Sequence, residues 1–147
     1  MYHTITKSYD NLKAAHRQWR HCGHCAFAHG ENWRIDISFR AKELDHQHFV
    51  YDFGALRPLK AQLEYYFDHT LLIDEDDPER AFFEDMHARK LADVRIVPSC
   101  GAEGLAEFVF GLADKFIREE TGGRVFCSKV VVYEDSKNSA AYEGITE

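Results

Sequence analysis

The chain has 147 residues, 45% of them apolar and 14% aromatic, which is the size of one domain able to close its own core and excludes intrinsic disorder as its main state. Lys and Arg number 18 against 25 Asp and Glu, a formal charge of −7, which argues against nonspecific nucleic-acid binding because that depends on basic residues neutralising phosphates. The longest apolar run, Phe108 to Ala113, is far short of the ~20 residues of a membrane span, and Met1 to Lys7 holds no apolar signal core, so a soluble, cytoplasmic protein without membrane or nucleic-acid partners is expected.

Residues 2–8, rich in Thr, Ile and Tyr, suit a first strand. Residues 17–28 carry Cys22-Gly-His-Cys25 and suit a loop. Over 32–40, Trp33, Ile35, Ile37 and Phe39 alternate with Arg34, Asp36, Ser38 and Arg40, the signature of a half-buried strand. Residues 48–53 are expected as its partner strand, with 41–47 as the hairpin connection. Leu56, Leu59, Leu63 and Phe67 have helical spacing over 55–67, and Pro58 falls in the first turn, where a missing N–H does no harm. Asp77-Pro78-Glu79 reads as a cap and first turn, opening a helix through about Leu91. A short strand is expected at 93–97. An amphipathic helix follows at 103–119, with Leu105, Phe108, Leu112 and Phe116 on one face, stopped by Thr121-Gly-Gly123. A Val-rich strand closes the chain at 124–134. The order β-β-β-α-α-β-α-β indicates a single α+β domain over 1–147 with a mainly antiparallel sheet, whose edges and open face oligomerisation can cover.

Nine histidines are present, and four of them (His16, His21, His24, His29) fall in the span 16–29. His29 and Glu31 stand at i and i+2. At the entry to a strand they share a face, and with His16 they make a two-His, one-carboxylate set that suits zinc or another divalent metal. His21 and His24 are rival ligands, and surface histidines near a polar turn are the ordinary alternative. Cys25, four residues before His29, is a candidate base or nucleophile beside a cation, or else a plain free thiol. Cys22 to Cys25 has the C-x-x-C redox spacing, but a strand follows where a thioredoxin-like helix should. Asp68 and His69 at a helix end can support one another, the carboxylate orienting the imidazole, although His is also favoured there by the helix dipole. Glu134, at the end of the last strand, can accept two parallel N–H bonds from an amino-heterocycle, or simply be solvated. The acidic run Asp74 to Asp77 reads as a solvated cap and loop.

Taken in order, these segments resemble the 6-pyruvoyl-tetrahydropterin synthase and 6-carboxy-tetrahydropterin synthase family. Ala14-Ala15-His16 is similar to its first metal histidine, and Cys25-x-x-x-His29-Gly30 to its Cys-x3-His-Gly-His segment. Asp52-Phe53-x-x-Leu56, Asp68-His69, Glu103-x-Leu105-Ala106 and Glu134 with Ala141-x-x-Gly144 resemble further family segments, so that the likeness spans about 14–144. The resemblance implies a tunnelling fold: an antiparallel four-stranded sheet with helices on one face, assembling into barrel-forming rings, usually hexamers. It implies a zinc ion on His16, His29 and a third ligand, Cys25 as proton-abstracting base, and His69 with Asp68 in proton transfer. Glu134 and Glu103 would bind substrate. The implied reaction is a lyase conversion of 7,8-dihydroneopterin triphosphate to 6-carboxy-5,6,7,8-tetrahydropterin, with acetaldehyde and triphosphate released, in queuosine synthesis. The alternatives are the pyruvoyl product, side-chain cleavage of dihydroneopterin, and a non-catalytic pterin-binding relative. The chain departs from the family pattern at Glu31, where a second metal histidine is usual, and in Tyr9 to Lys13, ahead of Ala14.

Overall fold

The computed structural model describes residues 1–144. Its elements are β1 (His3–His16), β2 (His29–Ala41), α1 (Arg57–Phe67), β3 (Thr70–Asp74), α2 (Arg80–Ala88), β4 (Val94–Val97), α3 (Ala102–Thr121), β5 (Val125–Tyr133) and β6 (Ser139–Glu143). All six strands form one sheet in the order β4-β3-β1-β2-β5-β6.

The alternation read at 32–40 becomes β2. Trp33, Ile35, Ile37, Phe39 and Ala41 are fully buried on one face. Against them pack Leu59, Leu63 and Phe67 of α1, and Leu105, Val109, Ala113 and Ile117 of α3. α1 supplies the apolar stripe that its spacing predicts, whereas α3 turns Val109, Ala113 and Ile117 inward beside Leu105 and Phe116 and leaves Phe108 and Leu112 only partly buried. Gly122, at φ +60, ends α3 in the left-handed conformation, which costs glycine little.

The sheet is six-stranded and mixed, not four-stranded and antiparallel. β1 pairs antiparallel with β2, but β3 lies parallel to both β1 and β4. Two strands escape the sequence reading. All five residues of β3 are buried, so no alternation marks it, as is usual for a parallel strand covered on both sides. β6 is mostly exposed, and its inward face is only Ala140 on the core and Tyr142 against Phe110 of α3, too short to write a period into the sequence.

The helices do not all lie on one face. Leu72 joins the main core, whereas Leu71 and Ile73 pack with Phe83, Val94 and Met86 in a separate cluster. Successive strand residues point to opposite faces, so α2 covers the side away from α1 and α3. α2 also stops at Ala88, short of Leu91.

Residues 48–53 are not a strand, because β1 and β5 already occupy both edges of β2. Their backbone groups are met in other ways. Asp45 Oδ1 accepts from the N–H groups of Gln47 and Phe49, and Arg124 donates to the carbonyls of Glu43 and Val50.

Candidate metal centre and adjoining cavity

One inserted residue decides where His16 points. Tyr9 opposes Ile35 and Leu12 opposes Trp33, so β1 carries one residue more than β2 over this interval. Asn11, at φ +54, takes up the kink of this bulge. Before it the odd-numbered Tyr9 is buried; after it the even-numbered Leu12, Ala14 and His16 are. Without the bulge His16 would face the other side of the sheet. With it, His16 lies fully buried at the end of the core face, edge-on to Trp33 with ring centroids 5.0 Å apart.

His16 and His29 are cross-strand partners, and Glu31 shares the face of His29. His16 Nε2 lies 3.0 Å from His29 Nε2. Glu31 Oε1 stands 3.3 Å from His29 Nε2 and 3.8 Å from His16 Nε2. The Nδ1 atoms point away: His16 Nδ1 donates to the Cys100 carbonyl and His29 Nδ1 to the Phe27 carbonyl, each at 2.7 Å. A carbonyl only accepts, so both rings carry their proton on Nδ1. That turns two Nε2 lone pairs toward one another beside a carboxylate, an arrangement that a shared cation relieves. Burial holds His16 below the ordinary imidazole range, outweighing the Cys100 carbonyl, so the ring is kept in the neutral form a metal ligand needs. Ligand nitrogens ~2.0–2.1 Å from a tetrahedral zinc stand ~3.3 Å apart, close to the spacing here. The donor set therefore fits a divalent metal of the zinc type. Among the described residues this is the one group of His, Cys, Asp or Glu that converges so closely. His21 instead turns back on its own loop, accepting from the Gly23 N–H, and His24 is exposed.

A cavity of about 920 Å³ adjoins the triad, and Glu31, His69 and Glu134 all line it. Asp68 ends α1, and His69 follows at φ +58. His69 Nδ1 donates to Asp68 Oδ1 at 2.6 Å. Burial raises the Glu134 carboxyl above its ordinary range, and the charges of Glu31, Glu103 and Asp135 add to this. A carboxylate so placed gains from a ligand that offers N–H donors. Glu103 does not line the cavity; it stands in the first turn of α3.

Lys13 and Arg34 also line the cavity. Asp36 holds the Arg34 guanidinium at 3.1 Å, and the group lies over the Tyr133 ring. Neither cation carries a sequence signal, because an outward cation on a strand reads as merely solvated.

Cys25 is half-buried in a short helical turn, His24–Ala26, and does not line the cavity. All four cysteines are free thiols. Burial pushes the Cys127 thiol up to about 12 and raises Cys100 as well. The turn at 24–26 runs into β2, so the helix of a thioredoxin-type site is absent at Cys22 and Cys25.

The acidic run 74–77 is not simply solvated, as its sequence suggests. Asp74 and Asp77 are 5% and 4% exposed. Asp77 caps the approach to α2 by accepting from the Glu79 N–H, and pairs with Arg17 at 3.0 Å. Asp76 pairs with Arg20 and accepts from the Trp19 indole. The run thus anchors the loop that carries Cys25. No charge count separates a buried carboxylate of this kind from a solvated one.

The mixed sheet, with a histidine-carboxylate cluster at one end and a cavity beside it, is an architecture shared with solved structures. An uncharacterized protein of Wolinella succinogenes shares this fold with a TM-score of 0.83 at 21% identity, covering 99% of both chains. The 6-pyruvoyl tetrahydropterin synthase of Caenorhabditis elegans shares it with a TM-score of 0.65 at 21% identity, covering 99% of this chain and 97% of the other. The 6-carboxy-5,6,7,8-tetrahydropterin synthase of Aquifex aeolicus (strain VF5) is 27% identical over 160 residues, covering 95% of this chain and 96% of the relative. The family model for 6-pyruvoyl tetrahydropterin synthase matches residues 4–145, and the chain belongs to that family, an enzyme of the lyase type.

Proposed function

We propose that this enzyme converts 7,8-dihydroneopterin triphosphate and one water to 6-carboxy-5,6,7,8-tetrahydropterin, releasing acetaldehyde and triphosphate, with zinc held by His16, His29 and Glu31. The observation that carries this reading is the convergence of the two Nε2 atoms and Glu31 Oε1 at a cavity that His69 and Glu134 also line. The carboxy-forming branch is favoured by the Aquifex relative, which spans nearly the whole chain.

Each residue has a part in this scheme. The Glu134 carboxylate takes the paired N–H groups of the pterin ring, exchanging water for donors that offset its burial. Glu103 adds to the negative field at that end. A zinc ion at the triad would act as a Lewis acid toward the side-chain hydroxyls of the substrate and acidify the adjoining C–H bonds. Cys25 is assigned proton removal by its match to the family's Cys-x3-His-Gly segment; it stands outside the cavity lining of the single chain, on the loop held by the carboxylates at 74–77. His69, with Nδ1 tied to Asp68, presents Nε2 to the cavity and moves a proton at the other side of the substrate. Lys13 and Arg34 suit the anionic tail. Glu31 sets this site apart from a three-histidine one: its charge lowers the net charge of the centre by one.

Product analysis tests the reading. The zinc-loaded protein, given 7,8-dihydroneopterin triphosphate, is expected to yield the 6-carboxy product and acetaldehyde by mass spectrometry. Cys25→Ala and His69→Ala should each slow turnover at least ~100-fold. Loss of triphosphate without acetaldehyde would indicate the pyruvoyl product instead, and an untouched substrate would defeat the proposal.

A further inference from the structure

Asp74, the last residue of β3, is nearly inaccessible, and its Oδ1 accepts the backbone N–H of Cys100 at 2.7 Å. The carbonyl of that same residue accepts His16 Nδ1–H at 2.7 Å. The Cys100 thiol donates to the carbonyl of Arg17, the residue after His16, at 3.1 Å. Cys100 itself lies between β4 and α3, outside both elements. It has no ladder to fix its carbonyl, and a carbonyl orients an imidazole only as well as its own residue is held. Asp74 supplies the fixed point: it pairs with Val97 of β4, at the end of a strand that β1 also holds as far as Leu72. The second carboxylate oxygen faces Arg20 Nη1 at 3.6 Å, so Asp74 stays oriented toward Cys100. Its negative charge on the N–H side also makes the residue a better link in the chain, since successive hydrogen bonds polarise one another.

We propose that Asp74 is a positioning residue for the metal centre, acting through the Cys100 backbone to set the tautomer and direction of His16. This rests on His16 being a metal ligand, as proposed above. The Cys100 carbonyl, one step from the ligand, belongs to the class of partners worth ~10–100-fold in metal affinity, and Asp74, a further step away, acts through it with an effect at the low end of that range.

The test uses the full chain and zinc alone, with affinity read by competition against a chromogenic chelator. Asp74→Ala should weaken zinc binding ~10-fold, the low end of the range for a direct outer partner. Asp74→Asn keeps an acceptor at the same reach and should stay within about threefold of the parent, a difference of ~0.7 kcal/mol or less. Asp76→Ala, which releases Arg20 and Trp19 but leaves the Asp74–Cys100 bond, should bind zinc as the parent does. A purely structural role for the turn would instead weaken Asp74→Ala and Asp76→Ala alike. If Asp74→Ala does not fold, Asp74→Thr keeps a strand-favouring residue but withdraws the long acceptor, and carries the same expectation.

A second readout needs no metal. The 15N shifts of the His16 ring in the metal-free parent should report the Nδ1–H tautomer, and Asp74→Ala should lose it. Parental zinc affinity in Asp74→Ala, or an unchanged His16 tautomer, would overturn the proposal. A parent chain that binds no zinc would overturn the metal reading, and the tautomer would then decide the role of Asp74 separately.

Discussion

At the residue scale, one side chain that lines the cavity, His69, is held where backbone geometry is unfavourable. At φ +58 it sits in the left-handed region, which costs most L-residues ~1–2 kcal/mol. Its backbone N–H donates to the Lys13 carbonyl, tying it to β1, while its ring lines the cavity. Strain of this kind at a cavity fits a working residue. The expected signature is a split between stability and activity. His69→Gly should fold within ~1 kcal/mol of the parent, because glycine adopts this φ freely, yet lose turnover. His69→Val should lose turnover and ~1–2 kcal/mol as well. Chemical denaturation beside an activity assay reads both, and full activity in His69→Gly would remove His69 from the mechanism.

At the scale of elements, the bulge in β1 links sequence to site. It converts an odd inward pattern into an even one and so aims His16 at His29. Asn11→Gly should be nearly neutral, since both residues tolerate φ +54, whereas Asn11→Val should cost ~1–2 kcal/mol. Deleting Asn11 removes the extra residue, sends Leu12, Ala14 and His16 to the opposite face, and should abolish zinc binding. A deletion variant that kept parental zinc affinity would mean that His16 is not a ligand.

The same scale explains what sequence could and could not reveal. β2 and α3 were legible because each buries one face, and one buried face writes a period of 2 or 3.6 into the chain. β3 was not, because burial on both faces erases the period. Residues 48–53 carry Phe49, Val50 and Tyr51 and look like a strand, but Asp45 and Arg124 satisfy their backbone in a loop. His29-x-Glu31 was legible as a pair on one strand face. The role of Cys100 was not, because its carbonyl receives His16 through the main chain, which any residue provides.

At the scale of the molecule, the six-stranded sheet ends in two open edges, at β4 and at β6. Phe27, Phe49, Phe53 and Phe82 are exposed around it. Unpaired strand edges and exposed aromatics are what assembly covers. These features suit the hexamer that the family resemblance implies, for which light scattering should give a mass of about 100 kDa for six chains of 17.0 kDa. A monomer at micromolar concentration would contradict it.

The central claim is that His16, His29 and Glu31 hold the metal on which the lyase reaction depends. Elemental analysis of the purified protein beside His29→Ala and Glu31→Ala, paired with turnover before and after chelation, tests it most directly. About one zinc per chain is expected in the parent, with loss in both variants by more than the ~10–100-fold in affinity that an outer partner costs. Chelation should stop turnover and added zinc should restore it. Turnover that survives complete removal of metal, or full zinc in Glu31→Ala, would contradict the account.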